Sequence, residues 1–293
     1  MPVRSNPPAS MGRRAIPFLF VLLWSTGFIG ARLGLPHAPP LLFLVLRYLA
    51  VIALMTMVAL VMRAPWPRGV RAWASIGIAG LLVHGLYLGG VFIAISQGLP
   101  AGVTSLVVGL QPLLTAMVAV GWMGERLGGR RWFGLALGFA GVALVVSRQL
   151  DAGFGAGGLP AAVLALLAIT AGTLWQKRWC PSFDWRTGLV VQFIPATLAT
   201  AVAAALTEPL QLRWTGEFVF ALGWLVFVLS LGAVSLLNAL IRAGSAVDSA
   251  SLFYLVPPST ALFAWGLFGE RLTGAALLGM ALTVAGVWLA RLK

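Results

Sequence analysis

Acidic residues are scarce: four Glu and three Asp in 293 residues, against twenty Lys and Arg. All seven, Glu125, Asp151, Asp184, Glu208, Glu217, Asp248 and Glu270, fall at the ends of apolar runs or between them. Proton- or sodium-driven carriers keep an acidic group inside the membrane. Its absence here points to uncoupled movement down a gradient, or to coupling through a histidine, and argues against a dedicated cation site, because a buried cation needs a partner. Cysteine is scarcer still. Cys180 alone excludes an internal disulfide, and no Cys/His cluster has metal-ligand spacing, so neither metal nor cofactor is expected. Charged residues make up 9% of the chain, where a soluble domain carries about 25%. With 60% hydrophobic residues and a mean hydropathy of +0.97, the chain reads as an all-α integral membrane protein. Its net charge of +13 is no nucleic-acid footprint, because the basic residues sit in short clusters between apolar runs, where the positive-inside rule puts them.

A transmembrane helix needs about 20 mostly apolar residues. Cutting the chain at Pro, Gly and charge clusters predicts ten: 15–34, 40–62, 71–97, 101–123, 132–148, 159–178, 187–207, 218–241, 247–268 and 273–291. Met1–Arg14 followed by an apolar run is similar to a signal peptide, but the run lacks a small-x-small cleavage site and leads into further spans, so it is expected to stay as the first helix. With the N-terminus inside, the cytoplasmic side collects fifteen Lys and Arg and the outer side four, with Arg47 left within a span. Both termini are therefore expected in the cytoplasm, in a multi-pass membrane protein that is expected to work as a monomer.

What is there in abundance is repetition. Displaced by 145 residues, Ser105–Val145 lies over Ala250–Ala290 without a gap and with 18 of 41 positions identical. The matches include Pro112 with Pro257, Gly124-Glu125-Arg126-Leu127 with Gly269-Glu270-Arg271-Leu272, and Gly141-Val142 with Gly286-Val287. Two similar halves in a hydrophobic chain are the signature of a transporter built from repeats. Five spans per half is odd, so the second copy enters the membrane inverted. The predicted organisation is a tail over 1–14, a five-helix repeat over 15–148 and a second, inverted one over 159–291. Arg130 and Arg131 after the first copy become Ala275 and Ala276 after the second, as the opposite orientation demands.

These residues resemble the EamA-type branch of the drug/metabolite transporter superfamily. The likeness rests on Trp24-Ser25 in the first span, Pro39-Pro40 leading to Arg47-Tyr48 in the second, Ala101-Gly102 opening the fourth, and the Pro…Gly-Glu-Arg-Leu…Gly-Val pattern in both halves. The resemblance implies ten helices in two inverted halves, a central cavity, and transport of small metabolites, usually outward in bacteria. It is greatest for exporters of aromatic and other neutral amino acids.

Polar residues near the midplane are the candidates for the chemistry. His84 lies mid-span and can donate, accept or, protonated, bind a carboxylate; Tyr87, three residues on, is expected on the same helix face. The alternative for His84 is a bond to a neighbouring helix backbone. Arg47 is placed with gating or structure, with a substrate carboxylate as the other reading. Gln111-Pro112 stands mid-span opposite its repeat partner Val256-Pro257, where a proline kink shapes the cavity or acts as a hinge. Gln111 either meets substrate or satisfies a neighbouring helix. Asn238, with Ser235 and Arg242, makes one face polar toward an inner mouth. Tyr254 is a candidate cavity wall. Trp24 is deep enough to stack on a planar substrate, whereas Trp175 serves either substrate or the interfacial belt. Glu125 and Glu270, on opposite faces of the membrane, read as structural caps.

The reading that joins these is an exporter, not an enzyme, that moves neutral and aromatic amino acids by alternating access, uncoupled or weakly proton-linked, with the bilayer as its only other partner. Nucleobases or drugs are rival substrates. A membrane enzyme would need paired acid/base groups or a metal, and a scaffold leaves His84, Arg47 and Gln111 without a purpose.

Overall fold

The computed structural model describes residues 11–99, 101–124, 126–151, 156–180, 182–209, 211–243, 250–268 and 274–291; Glu125 and Glu270 lie outside them. Every element among the described residues is helical. In order these are α1 (Met11–Gly34), α2 (Pro40–Val61), α3 (Val70–Ser96), α4 (Ala101–Val108), α5 (Gln111–Met123), α6 (Gly129–Asp151), α7 (Leu159–Trp179), α8 (Trp185–Thr207), α9 (Gly216–Ala243), α10 (Val256–Phe268) and α11 (Gly274–Arg291). Six of them, α1, α2, α3, α7, α8 and α9, are long and apolar enough to cross a membrane. Large apolar side chains point outward along them, among them Leu60 and Val61 on α2, Leu198 and Leu206 on α8, and Phe220 and Phe227 on α9. In water such a surface would be a liability; in a bilayer it is the lipid face.

Local chemistry sets the starts and breaks. Pro40 opens α2 at a position whose N–H has no intrahelical partner to lose. The first free amides of that helix are taken by a residue far along the chain: Leu41 and Leu42 N–H donate to the two Glu208 carboxylate oxygens at 2.8 and 2.9 Å. Asp184 caps α8, accepting from the Arg186 N–H at 2.9 Å, and Thr215 caps α9, accepting from the Phe218 N–H at 3.2 Å.

Pro112 and Pro257, expected to kink continuous helices, stand instead at helix starts. The chain stops at Val108, turns through Gly109-Leu110, and restarts with Gln111 and Pro112 in the first turn of α5. Pro257-Pro258 likewise occupy the first turn of α10, after a 3₁₀ turn over Ser251–Leu255. A proline in the first turn costs no helical hydrogen bond, so a break just before it is cheaper than a kink around it.

The 145-residue interval runs through the whole architecture. Gln111–Met123 maps onto Val256–Phe268, the start of α2 onto that of α8, and the start of α6 onto that of α11. Even irregularities repeat: α3 widens into π turns over Leu81–Leu86, and α9 does so over Leu225–Ala233, which contains the mapped stretch. The packing is closed under the same exchange. α2 lies on α8 and α6 on α11; α1 packs on α9 as α7 packs on α3, and α1 on α10 as α7 on α5. At the α6–α11 crossing glycines let the backbones touch. A Cβ on Gly134 would lie 2.8 Å from the Gly286 carbonyl oxygen, and one on Gly141 would lie 2.6 Å from the Gly279 carbonyl oxygen; these two contacts exchange under the shift.

Candidate functional site

Two polar assemblies occupy places related by the repeat, and they differ in kind. The first is a cavity bounded by Trp24, Gly27, Phe28 and Ala31 of α1, Arg47 of α2, Tyr87, Leu88, Val91 and Phe92 of α3, and Leu229 and Val234 of α9. It is narrow, about 40 Å³. That is room for a few waters at about 10–15 Å³ each, so an amino acid enters only if helices move. Trp24 and Tyr87 lie parallel with ring centroids 6.4 Å apart, and Trp24 packs edge-on against Phe253 at 5.3 Å. Arg47 is 3% exposed. Its Nε donates to Ser230 Oγ at 2.9 Å, and that hydroxyl donates on to the Leu225 carbonyl at 3.1 Å. The π turns of α9 free this carbonyl from its usual i+4 partner.

The second assembly is a closed ring of three amides. Gln192 Nε2 donates to Gln176 Oε1 at 3.0 Å, Gln176 Nε2 to Asn238 Oδ1 at 2.8 Å, and Asn238 Nδ2 to Gln192 Oε1 at 3.3 Å. All three are buried, and each amide both donates and accepts. Subtracting 145 from 176, 192 and 238 gives Ala31, Arg47 and Ile93. Where the second half fills the space with amides, the first half has an alanine, an arginine and a cavity. Asn238 was legible as a polar candidate, but Gln192 was passed over as one amide in an apolar helix. The signal that finds it is its register with Arg47.

Among the other candidates, the structure brings Trp24, Tyr87 and Arg47 together and separates His84 from them. His84 is 1% exposed and stacks on Phe193 of α8, with centroids 4.2 Å apart, away from the cavity. Neither ring nitrogen has a hydrogen-bond partner among the described residues, while the His84 carbonyl accepts from the Tyr48 hydroxyl at 2.7 Å. The expectation that His84 and Tyr87 share a face fails at the π turn. There the Tyr87 N–H reaches the Leu82 carbonyl, and each residue rotates less about the axis than in an α-helix.

Gln111 Nε2 reaches Thr173 Oγ1 of α7 at 3.4 Å, while its carbonyl oxygen, like Thr115 Oγ1 one turn on, has no partner among the described residues. Tyr254 is fully buried, its hydroxyl likewise has no partner among them, and its ring lies where a side chain on Gly138 would be. It does not line the cavity with Trp24. Trp175 donates to the Ser75 carbonyl at 3.0 Å and packs on Trp179 at 4.5 Å, which places it in packing at the end of α7 and away from the cavity. Pro112 and Pro257 mark the two helix restarts. Beside the amide ring, Arg242 donates to the Asn238 carbonyl at 3.2 Å and the Phe183 carbonyl at 2.6 Å, tying α9 to the α7–α8 loop. At the mouth of that loop Asp184 bonds Arg186 at 2.6 Å, and this guanidinium holds the Asp184 carboxyl below the usual range.

Comparison with known proteins gives a consistent picture. The EamA-like transporter family matches residues 15–147 and again 156–292. The transporter YvbV of Bacillus subtilis is 29% identical over 275 residues, covering 93% of this chain and 89% of its own. An Escherichia coli protein named "Probable amino-acid metabolite efflux pump" is 26% identical, covering 94% and 93%. The inner membrane transporter YedA of Escherichia coli is 25% identical, covering 94% and 89%. A solved crystal structure superimposes with a TM-score of 0.77 and 97% coverage of both chains at 23% identity, a likeness of fold.

Proposed function

Since the chain belongs to the EamA-like transporter family, and is a multi-pass membrane protein, we propose that it exports small metabolites across the bacterial inner membrane, neutral and aromatic amino acids foremost. The observation that carries this reading is the aromatic-walled cavity, where α1, α2 and α3 meet α9 from the other half of the chain. A site between repeats is where rocking one half against the other alternates access.

In this reading the protein crosses the membrane ten times, with α4 and α5 together making one crossing and both termini in the cytoplasm. The halves, 15–148 and 159–291, are inverted relative to each other. Trp24 and Tyr87 form the aromatic wall, His84 lies outside it, stacked on Phe193, and Gln111 and Asn238 belong to the moving seams. The described acidic residues support uncoupled transport: Asp184 and Glu217 sit at helix starts, and Glu208 caps α2.

The test is uptake of radiolabelled phenylalanine, leucine and alanine into proteoliposomes without imposed ion gradients, alongside Trp24→Ala and His84→Ala. Saturable uptake of phenylalanine that falls at least about tenfold in Trp24→Ala is expected, the scale of losing one buried aromatic contact. No uptake of any amino acid by folded, monodisperse protein would refute the substrate class.

A further inference from the structure

Among the described residues, no carboxylate pairs with the buried cation of the cavity. Arg47 is 3% exposed, and the one hydrogen bond it makes to them, from Nε to a serine hydroxyl, leaves its two terminal nitrogens without an acceptor there. Arg47 is itself part of the cavity's lining. Of the acidic residues in the described stretches, Asp151 ends α6, and three are engaged elsewhere: Asp184 by Arg186, Glu208 by the start of α2, and Glu217 by His37 at 3.2 Å. An unpaired charge taken out of water costs several kcal/mol, and a fold does not keep such a group at a position where a neutral one serves.

The chain contains its own control for that statement. Gln192 holds the equivalent position in the second half, where a neutral amide has both its polar atoms bonded within the protein. The fold therefore does not need a charge at this register. What distinguishes the first half is the space left beside it, because Ala31 stands where Gln176 stands in the other half.

We propose that Arg47 is the anion subsite of the cavity and takes the carboxylate of a substrate whose apolar part lies against Trp24 and Tyr87; the assignment deepens the export reading and rests on it for the substrate. Ser230 is the positioning residue. By engaging Nε it fixes the guanidinium plane and leaves the terminal edge, the one that pairs with two carboxylate oxygens at once, for a ligand of the cavity. The volume, about 40 Å³, suits a carboxylate replacing the waters that solvate the guanidinium there. Removing a charge-assisted pair from a water-poor site costs about tenfold or more in affinity. The site thus selects acids over the matching amides, esters and amines, and rejects cationic drugs.

The experiment uses the purified full-length protein and two uncharged-tail probes of equal shape, 3-phenylpropionate and 3-phenylpropionamide, followed by tryptophan emission, since Trp24 borders the site. Wild-type protein is expected to bind the acid at least about tenfold more tightly than the amide. In Arg47→Gln, the residue the second half uses, the ratio falls toward one; in Arg47→Lys part of it survives; in Ser230→Ala the acid weakens and the amide does not. Equal affinities on wild type, no binding of either probe, or a preference that survives Arg47→Gln each overturn the proposal. The wild-type comparison stands even if a variant fails to fold. Acid preference without phenylalanine transport would sink the export reading and leave the subsite, whereas transport without acid preference would do the reverse.

Discussion

Breaking the amide ring should cost more one residue at a time than all at once. Each of Gln176, Gln192 and Asn238 takes part in two of three hydrogen bonds. Any single apolar replacement therefore removes two bonds and strands one donor and one acceptor in a buried place. Hydrogen bonds between membrane helices are worth about 0.6 kcal/mol on average and about 1.7 at most, so a single change should cost about 1–3 kcal/mol, with the stranded groups pushing it upward. Gln176 shares the two shortest bonds, 2.8 and 3.0 Å, and Gln192 the two longest, 3.0 and 3.3 Å, so Gln176→Met should be worse than Gln192→Met, with Asn238→Leu between them. The triple variant loses three bonds in total but strands no partner and gains apolar packing. Its cost should be at most about half the sum of the three singles. The assay is reversible unfolding in mixed detergent micelles, followed by tryptophan fluorescence, on all four variants. A triple variant as destabilised as the summed singles would mean that the three amides act independently and that the ring is not a unit.

Two further predictions concern the frame around the site. Gly286→Val should loosen the α6–α11 crossing, because a Cβ there meets the Gly138 nitrogen and lies 2.6 Å from the Gly134 carbonyl; a loss of about 1–3 kcal/mol is expected from the overpacking, read in the same unfolding assay, while Gly266→Val, with open space around it, should be near neutral. Burial pushes the Cys180 thiol up to about 12, and it contacts the Ser75 carbonyl at 3.2 Å. The raised value keeps the native thiol protonated through the neutral range and well above it, so maleimide labelling at pH 7.5 should run at least about a hundredfold slower in native than in unfolded protein, and should accelerate as pH rises. Equal rates would show that Cys180 is exposed.

The repeat was legible in the sequence because proline, glycine and glutamate are rare enough in an apolar chain for coincidences among them to count, as at Pro112/Pro257 and Gly141/Gly286. Most helix positions followed from hydropathy to within a few residues, but the expected span 101–123 is two helices, and α10 starts at Val256 after a 3₁₀ turn rather than at 247. The site was legible only in pieces. Trp24 and Tyr87 were readable because an aromatic and a polar group stand at mid-depth. His84 was placed on the wrong face because a π turn leaves no mark in residue type, and its i→i+5 pairing changes angle without changing composition. The helix break at Gly109-Leu110 was taken for a kink because one proline signals either outcome. Gln192 was invisible alone, since its meaning comes from two partners, Gln176 on α7 and Asn238 on α9.

The glycine seam between α6 and α11 has a consequence for how such a molecule can arise. Gly134 against Gly286 and Gly141 against Gly279 are one contact made twice, each patch meeting its own copy. A surface that complements itself is what two identical, separate subunits use to form a symmetric dimer. A single repeat unit carrying this seam already holds the instructions for pairing with its twin. Joining the twins in one chain releases them from being identical: position 47 may keep a charge while position 192 gives it up for an amide, a division of labour that no homodimer encoded by one sequence can adopt.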